Sequence, residues 1–373
     1  MNDFRILGMM SGTSLDGLDL VLAHLTESEG AWGYKILASG CLDYEPKMRQ
    51  RLQAAIEMDV GGLLAFHTEY GKWLGDQAAK FLAAQHEPAD AVASHGHTVH
   101  HRPEAGFTFQ LGCPQEVALR TGVPCIGDFR SLDIRLGGQG APLVPIGDRL
   151  LFGSYDFCLN LGGISNISFE RMGKRTAFDI GIANMLLNHL SSESGRAYDA
   201  GGALARSGKV LPDLLKALDN LPYYRQPFPK STGYEWFRDQ IIPLLNAHPG
   251  SPEDRLRTAT VHVAGTVARQ IDELAGGSPA TVLVTGGGAY NDFLMEQIRE
   301  GMHPDIRVHI PHDGLVENKE ALVFALLGAL RLSGSVNVLS SVTGARKDSC
   351  SGILYLPEVS GGQRPPGSGI LGG

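Results

Sequence analysis

Three glycine-rich turns hold the residues best suited to chemistry. The first is Ser11-Gly12-Thr13-Ser14-Leu15-Asp16-Gly17. Phosphate oxygens are bound by a concave set of backbone N–H groups, supplemented by short hydroxyls. Gly12 lets the backbone come close, Thr13 and Ser14 supply hydroxyls, and Asp16-Gly17 is a hairpin turn signal. Asp16 and Asp19 suit Mg²⁺, which takes few carboxylates and keeps several waters; of the two, Asp16 is the expected metal ligand. The second turn, Leu161-Gly162-Gly163-Ile164-Ser165-Asn166, offers another phosphate-facing hairpin. The third, Thr285-Gly286-Gly287-Gly288-Ala289, offers a flat backbone for adenine, with Asn291 or Asp292 able to cap the next helix. Each turn alone is equally an ordinary loop. No G-x-x-x-x-G-K-[ST] string occurs, so a P-loop mechanism is excluded.

Asp179 is the candidate general base; the alternative is a cap on the helix expected over 184–190. Arg130 can pair bidentately with a carboxylate, or form a surface ion pair with Asp128 or Asp133. His97 and Thr98 can hydrogen-bond a polar ligand. Glu320 can orient a ligand or a water, or simply favour a helix start. His95-Gly96-His97 reads as H-x-H on a strand, both rings on one face, as in zinc hydrolases. No H-E-x-x-H accompanies it.

The elements that must position these residues follow from apolar patterning. Strands are expected at 5–10, 18–25, 34–41, 89–94, 123–127, 156–161, 167–170 and 281–285. Helices are expected at 51–58, 63–84, 115–121, 184–190, 293–300 and 321–332. Two strand–glycine turn–strand hairpins thus recur roughly 150 residues apart, about one domain each. The tail from Ser360 is rich in Gly, Pro and Ser, a composition that favours flexibility.

The 373 residues carry a formal net charge of −8 and 43% hydrophobic residues. That length supports two or three domains, and the acidic balance argues against a nucleic-acid partner. The five cysteines are dispersed with no C-x-x-C pair, which favours reduced thiols in the cytoplasm. No signal peptide precedes the first motif, and no apolar run approaches the ~20 residues of a membrane helix.

In this order, each directly after an apolar strand, the three turns resemble the phosphate-1, phosphate-2 and adenosine loops of actin, hexokinase and their relatives. A closer resemblance is carried by Gly8-Met9-Met10-Ser11-Gly12-Thr13-Ser14-Leu15-Asp16-Gly17-Leu18-Asp19, Ser94-His95-Gly96-His97-Thr98 and Asp128-Phe129-Arg130. It continues through Gly137-Gly138-Gln139-Gly140-Ala141-Pro142-Leu143-Val144-Pro145, Asn160-Leu161-Gly162-Gly163-Ile164-Ser165-Asn166, Phe178-Asp179, Thr285-Gly286-Gly287-Gly288-Ala289-Tyr290-Asn291 and Lys319-Glu320-Ala321. These strings resemble the anhydro-N-acetylmuramic acid kinases over nearly the whole chain. Asp199, with Gly201-Gly202 and Ala205, resembles the family's second cleft segment, or is a capped turn.

The resemblance implies an α/β protein of two ribonuclease-H-like (actin-like ATPase) domains with an interdomain cleft. The first would span 1–133 and be joined by 336–359; the second would span 134–335; 360–373 would be a tail. It implies a sugar kinase using ATP and Mg²⁺, with a homodimer as the assembly. Asp179 and Glu320 would be catalytic. Gly12, Thr13, Ser14, Asp16, Gly17, Asp19, Gly162, Gly163, Asn166, Gly286, Gly287, Gly288 and Asn291 would bind ATP. His97, Thr98, Arg130 and Asn184 would bind the sugar. The chain departs from the family pattern at Asp179-Ile180-Gly181-Ile182-Ala183-Asn184, where Asp-Thr-Gly-Pro-Gly-Asn is usual, and at His97, where Gln is usual. Another amino sugar, a non-catalytic sugar sensor, and a zinc hydrolase using His95 and His97 are the competing expectations.

Overall fold

A computed structural model describes residues 2–12, 15, 17–311 and 314–358. Thr13, Ser14 and Asp16, and the tail 360–373, lie outside the described residues. The chain divides into two compact units, Met1–Leu151 with Asn318–Gly373, and Phe152–Glu317.

In the first unit, β1 (Asn2–Ser11), β2 (Leu18–Ser28) and β3 (Ala31–Leu42) form an antiparallel meander. β4 (Ala91–Arg102) returns parallel to β1, and β6 (Cys125–Gly127) runs parallel to β4. β5 (Phe107–Leu111) folds back antiparallel on β4, and the late strand Ile353–Tyr355 pairs with β6. The core strands are covered on both faces, which is why β1 and β2 read as near-continuous apolar runs.

One face is covered by the helix Val60–Ala83, which buries Phe66, Tyr70, Leu74 and Ala78 at four-residue intervals. The helix starts three residues before the expected 63, because Asp59 accepts the Gly62 N–H at 2.8 Å and caps it across the Gly61-Gly62 pair. The other face is covered by the helix Leu315–Leu332, whose residues 321–327 are all buried. It sits directly on β1: a Cβ added to Gly8 would lie 1.9 Å from the Ala321 carbonyl oxygen.

This packing places the division of the chain elsewhere than the expected 133/134 and 335/336. Gly147 lies against Val323, where a Cβ would approach Val323 Cγ2 to 2.4 Å. Asp148 forms a buried ion pair with Lys319 at 2.7 Å. Residues 134–151 and 318–335 therefore pack with the first unit.

The second unit repeats the connectivity. β7 (Phe157–Leu161), β8 (Ile164–Arg171) and β9 (Lys174–Ile182) form the meander. β10 (Ala280–Thr285) runs parallel to β7, and β11 (Ile306–His309) parallel to β10. The helix Pro252–Ala275 buries Leu256, Ala259, Val263, Val267 and Ile271 in this unit's core. The apolar period does not reveal it, because Thr258, Thr260, His262 and Thr266 are buried too. Two sheets, each a three-strand meander followed by a strand parallel to the first, make two ribonuclease-H-like units of an α/β protein.

Gly8→Ala should lower the denaturation midpoint of the first unit. Forcing a methyl against backbone costs about 1–3 kcal/mol or more, so an unchanged urea midpoint would contradict the close approach.

Candidate active site

In the first unit, the first glycine turn joins β1 to β2. Its described part is tight: Leu15 N–H donates to the Gly12 carbonyl at 3.2 Å. Gly17 has no room for a side chain, since a Cβ would lie 2.7 Å from the Leu42 carbonyl oxygen. Asp19 is half-buried on β2, opposite Met10 on one side and Cys41 on the other. It lies near enough to Glu320 for the two carboxylates to repel. Glu320 is exposed to solvent, yet the protein around it raises its carboxyl pKa by desolvation first and by Asp19 second; Lys319 and Arg130 oppose this. Glu320 lies in the second turn of its helix, not at the start, so a favourable dipole at a helix N-terminus does not account for it.

The histidine string of β4 is not a flat strand. From Met9 to Ser11, β1 advances two residues while β4 advances from Ser94 to His97, one residue more. Gly96 takes up the difference at φ 71°. The bulge puts the two rings on opposite faces, correcting the expectation of a shared face. His95 packs on Phe324 of the helix Leu315–Leu332, with ring centroids 4.8 Å apart. His97 turns to the other face and meets Ser11 Oγ at 3.0 Å.

His95 Nδ1 lies 2.9 Å from the Gly96 carbonyl, so that nitrogen carries the proton and Nε2 accepts. Arg130 donates to it from Nε at 3.1 Å and Nη2 at 2.9 Å, and from Nη1 to the Gly140 carbonyl at 2.6 Å. Burial and the neighbouring guanidinium hold His95 well below the usual histidine range, so it stays neutral. A nitrogen already bonded to a cation is a poor zinc ligand. Among the described residues no group of three His, Cys, Asp or Glu could hold a metal ion.

Of the two alternatives for Arg130, the surface ion pair with Asp128 or Asp133 does not form. Asp128 accepts from Ser131 N–H, and Asp133 accepts from Gly140 N–H and the Thr343 hydroxyl. Burial lowers the Arg130 guanidinium pKa to about 10, and it keeps two of its five N–H donors uncommitted among the described residues.

His97 ends a buried chain of hydroxyls not foreseen from sequence. Tyr44 O–H donates to Ser11 Oγ at 2.7 Å and lies 2.7 Å from the Tyr70 hydroxyl. Ser11 then donates to His97 Nδ1, which leaves His97 Nε2–H as a donor. Desolvation pushes the His97 pKa down to about 4. Thr98, half-buried on β4, accepts from Gln110 Nε2 at 3.3 Å.

In the second unit, two glycine turns and one asparagine come together. Asn184 Nδ2 donates to the Leu161 carbonyl at 2.9 Å, and its own N–H donates to the Gly162 carbonyl at 3.1 Å. The Gly163 carbonyl accepts from Ala183 and Met185. The third turn presses on the same point. A Cβ on Gly288 would lie 2.7 Å from Leu161 Cβ, and one on Gly286 would lie 2.5 Å from Asn160 Oδ1. Gly287 is exposed. Asn291 is the N-cap of the helix Asp292–Gly301, accepting from Leu294 N–H at 3.0 Å.

Asp179 is not a cap. It lies within β9, and the helix Asn184–Ser192 begins at Ala183 with no side-chain cap. Across the sheet, Asn160, Asn166 and Asp179 stand directly opposite one another on β7, β8 and β9. Asp179 Oδ2 accepts from Ser231 Oγ at 2.9 Å and from Thr232 N–H at 3.0 Å. Burial raises its carboxyl pKa, and these two hydrogen bonds oppose the rise. Ser231 and Thr232 were not foreseen, because they lie 52 and 53 positions along the chain. Asp199 is spent structurally: its two oxygens accept the N–H groups of Leu204 and Ala205, which supports the capped-turn alternative.

The family model described as anhydro-N-acetylmuramic acid kinase matches residues 4–357. The chain belongs to this family. An anhydro-N-acetylmuramic acid kinase of Aliivibrio fischeri is 35% identical over 369 residues, covering 94% of this chain and 99% of that protein. The Bordetella pertussis relative of the same description is 37% identical, covering 94% and 95%. Among solved structures, component A of the (R)-2-hydroxyglutaryl-CoA dehydratase of Acidaminococcus fermentans is similar at 13% identity and a TM-score of 0.42, over 87% of this chain and 96% of that one.

Folded His97 binds its proton less tightly than the unfolded chain does, so stability falls as the pH drops from about 6.5 towards 4. In His97→Gln this slope should shrink by up to about 1.4 kcal/mol per pH unit, read from urea unfolding at a series of pH values. Identical slopes in both proteins would show that His97 protonates freely.

Proposed function

We propose that this chain phosphorylates 1,6-anhydro-N-acetylmuramic acid with opening of its anhydro bridge, giving N-acetylmuramic acid 6-phosphate and ADP. As a member of its family it is an ATP-dependent carbohydrate kinase whose role is in peptidoglycan recycling. The observation that carries the substrate chemistry is Asp179: a partly buried strand carboxylate with one oxygen anchored, and no helix to cap.

The reaction needs a base. Water attacks the anomeric carbon and forms a C–O bond there as the bond from that carbon to the bridging oxygen breaks. The freed oxygen bonds the γ-phosphorus, the bond to the β,γ-bridging oxygen breaks, and ADP leaves. Asp179 takes the proton that water gives up. Its burial raises its proton affinity, which suits a base working near neutral pH.

In the second unit, the Gly162-Gly163 hairpin and the Gly286–Gly288 turn present backbone to the nucleotide. Asn184 ties the first of them to the helix Asn184–Ser192. Asn291 supports that region as a helix cap. In the first unit, Gly12, Gly17 and Asp19 belong to the turn for phosphate. Thr13, Ser14 and Asp16 complete it in sequence. The mutual repulsion of Asp19 and Glu320 fits Mg²⁺, bound through one or two carboxylates and its own waters; such an ion would neutralise phosphate charge. The uncommitted donors of Arg130 suit the lactyl carboxylate of a muramic sugar. His97 Nε2–H and Thr98 suit sugar oxygens. A second amino-sugar substrate is favoured by Ile180 to Ala183, which replace the hydroxyl and the Pro-Gly bend of the family pattern. The five free cysteines favour a cytoplasmic setting, and the family likeness favours a homodimer.

The test is ADP release from ATP and Mg²⁺ with and without the anhydro sugar. Sugar-dependent release should fall by about 10²-fold or more in Asp179→Asn, the scale of a lost general base. Sugar-independent release by the wild type would overturn the substrate, and full activity of the variant would overturn the base.

A further inference from the structure

The carboxylate of Asp179 is met by a segment far along the chain, Lys230-Ser231-Thr232. Both donors go to one oxygen: Ser231 Oγ at 2.9 Å and Thr232 N–H at 3.0 Å reach Oδ2. The Asp179 backbone is held by the same region. Its N–H donates to the Lys230 carbonyl at 3.1 Å, and the Tyr223 hydroxyl donates to its carbonyl at 2.7 Å. Oδ1 has no hydrogen-bond partner among the described residues.

We infer that the Ser231-Thr232 turn positions the base, holding Oδ2 so that Oδ1 is the oxygen that takes the proton from water, with Ser231 as the positioning residue. This rests on Asp179 acting as the base. A carboxylate offers two nearly equivalent oxygens, and rotation exchanges them. Two donors on one oxygen stop the exchange and fix the plane of the group. They also favour the charged form against the desolvation that raises the Asp179 pKa.

The other groups facing the site do not take this part. The Tyr223 phenol is held neutral by burial. The Lys230 ammonium turns to the Tyr223 carbonyl at 3.3 Å and lies 4.8 Å over the Tyr223 ring. Ser231 is exposed, so its substitution spares the core.

The experiment compares wild type, Ser231→Ala, Ser231→Thr and Asp179→Asn in two ways. The first is the pH profile of kcat and KM for sugar-dependent ADP release. The second, independent of substrate, is the titration of the Asp179 carboxyl by carbon-13 NMR. In Ser231→Ala, kcat should drop roughly tenfold near neutral pH with KM little changed, the scale of one hydrogen bond to a charged group. Its acid limb and the carboxyl titration should both move to higher pH, and Ser231→Thr should restore them. An unmoved carboxyl titration in Ser231→Ala overturns the inference, as does failure of Ser231→Thr to restore it. If Asp179→Asn is inactive in that case, the base itself still stands. A fully active Asp179→Asn overturns the base and this inference together.

Discussion

Backbone pressed against backbone is the constraint on which each unit depends. Gly8 lets the helix Leu315–Leu332 lie on β1 at a distance no other residue permits. That depth fixes where Lys319 and Glu320 leave the helix, and the buried pairing of Lys319 with Asp148 holds the same turn. Protein interiors pack at near-crystal density, so a displacement here cannot be absorbed by empty space. In the second unit, Gly286 and Gly288 play the same part against Asn160 and Leu161. Glycine acts in both places through what it lacks.

Against this rigid frame, the charged groups are tuned by opposed effects. Burial raises the proton affinity of Asp179, and two hydrogen bonds pull it back. Burial lowers the pKa of Arg130, and Glu320 pulls it back. His95 and Arg130 show how a half-buried cation is hydrogen-bonded without a carboxylate: neutral imidazole and a backbone carbonyl accept its N–H groups, and Glu320 acts on it only through its charge. A carboxylate in place of His95 would neutralise Arg130 and weaken its pull on an anion.

Much of this was legible in the sequence because glycine announces its position. The strand–turn–strand hairpins at 5–25 and 156–170, and the strand before Gly286, are all present. What stayed hidden had physical reasons. The helix Pro252–Ala275 buries threonines and a histidine, so its apolar period is diluted. β9 carries Asp179 and two positive charges near its start, and its pattern is too polar to stand out. Strand alternation misplaced the His95 and His97 rings, because a bulge cannot be seen in residue types alone. The ties to Asp179 join segments 52 residues apart, and nothing local marks them.

By sending neighbouring histidines to opposite faces, the bulge at Gly96 uncouples two tasks that share three residues of chain. One histidine braces a guanidinium; the other ends a relay of hydroxyls. A change of side chain at position 97 therefore leaves the brace at position 95 undisturbed. The group carried on one face can change without disturbing the packing on the other.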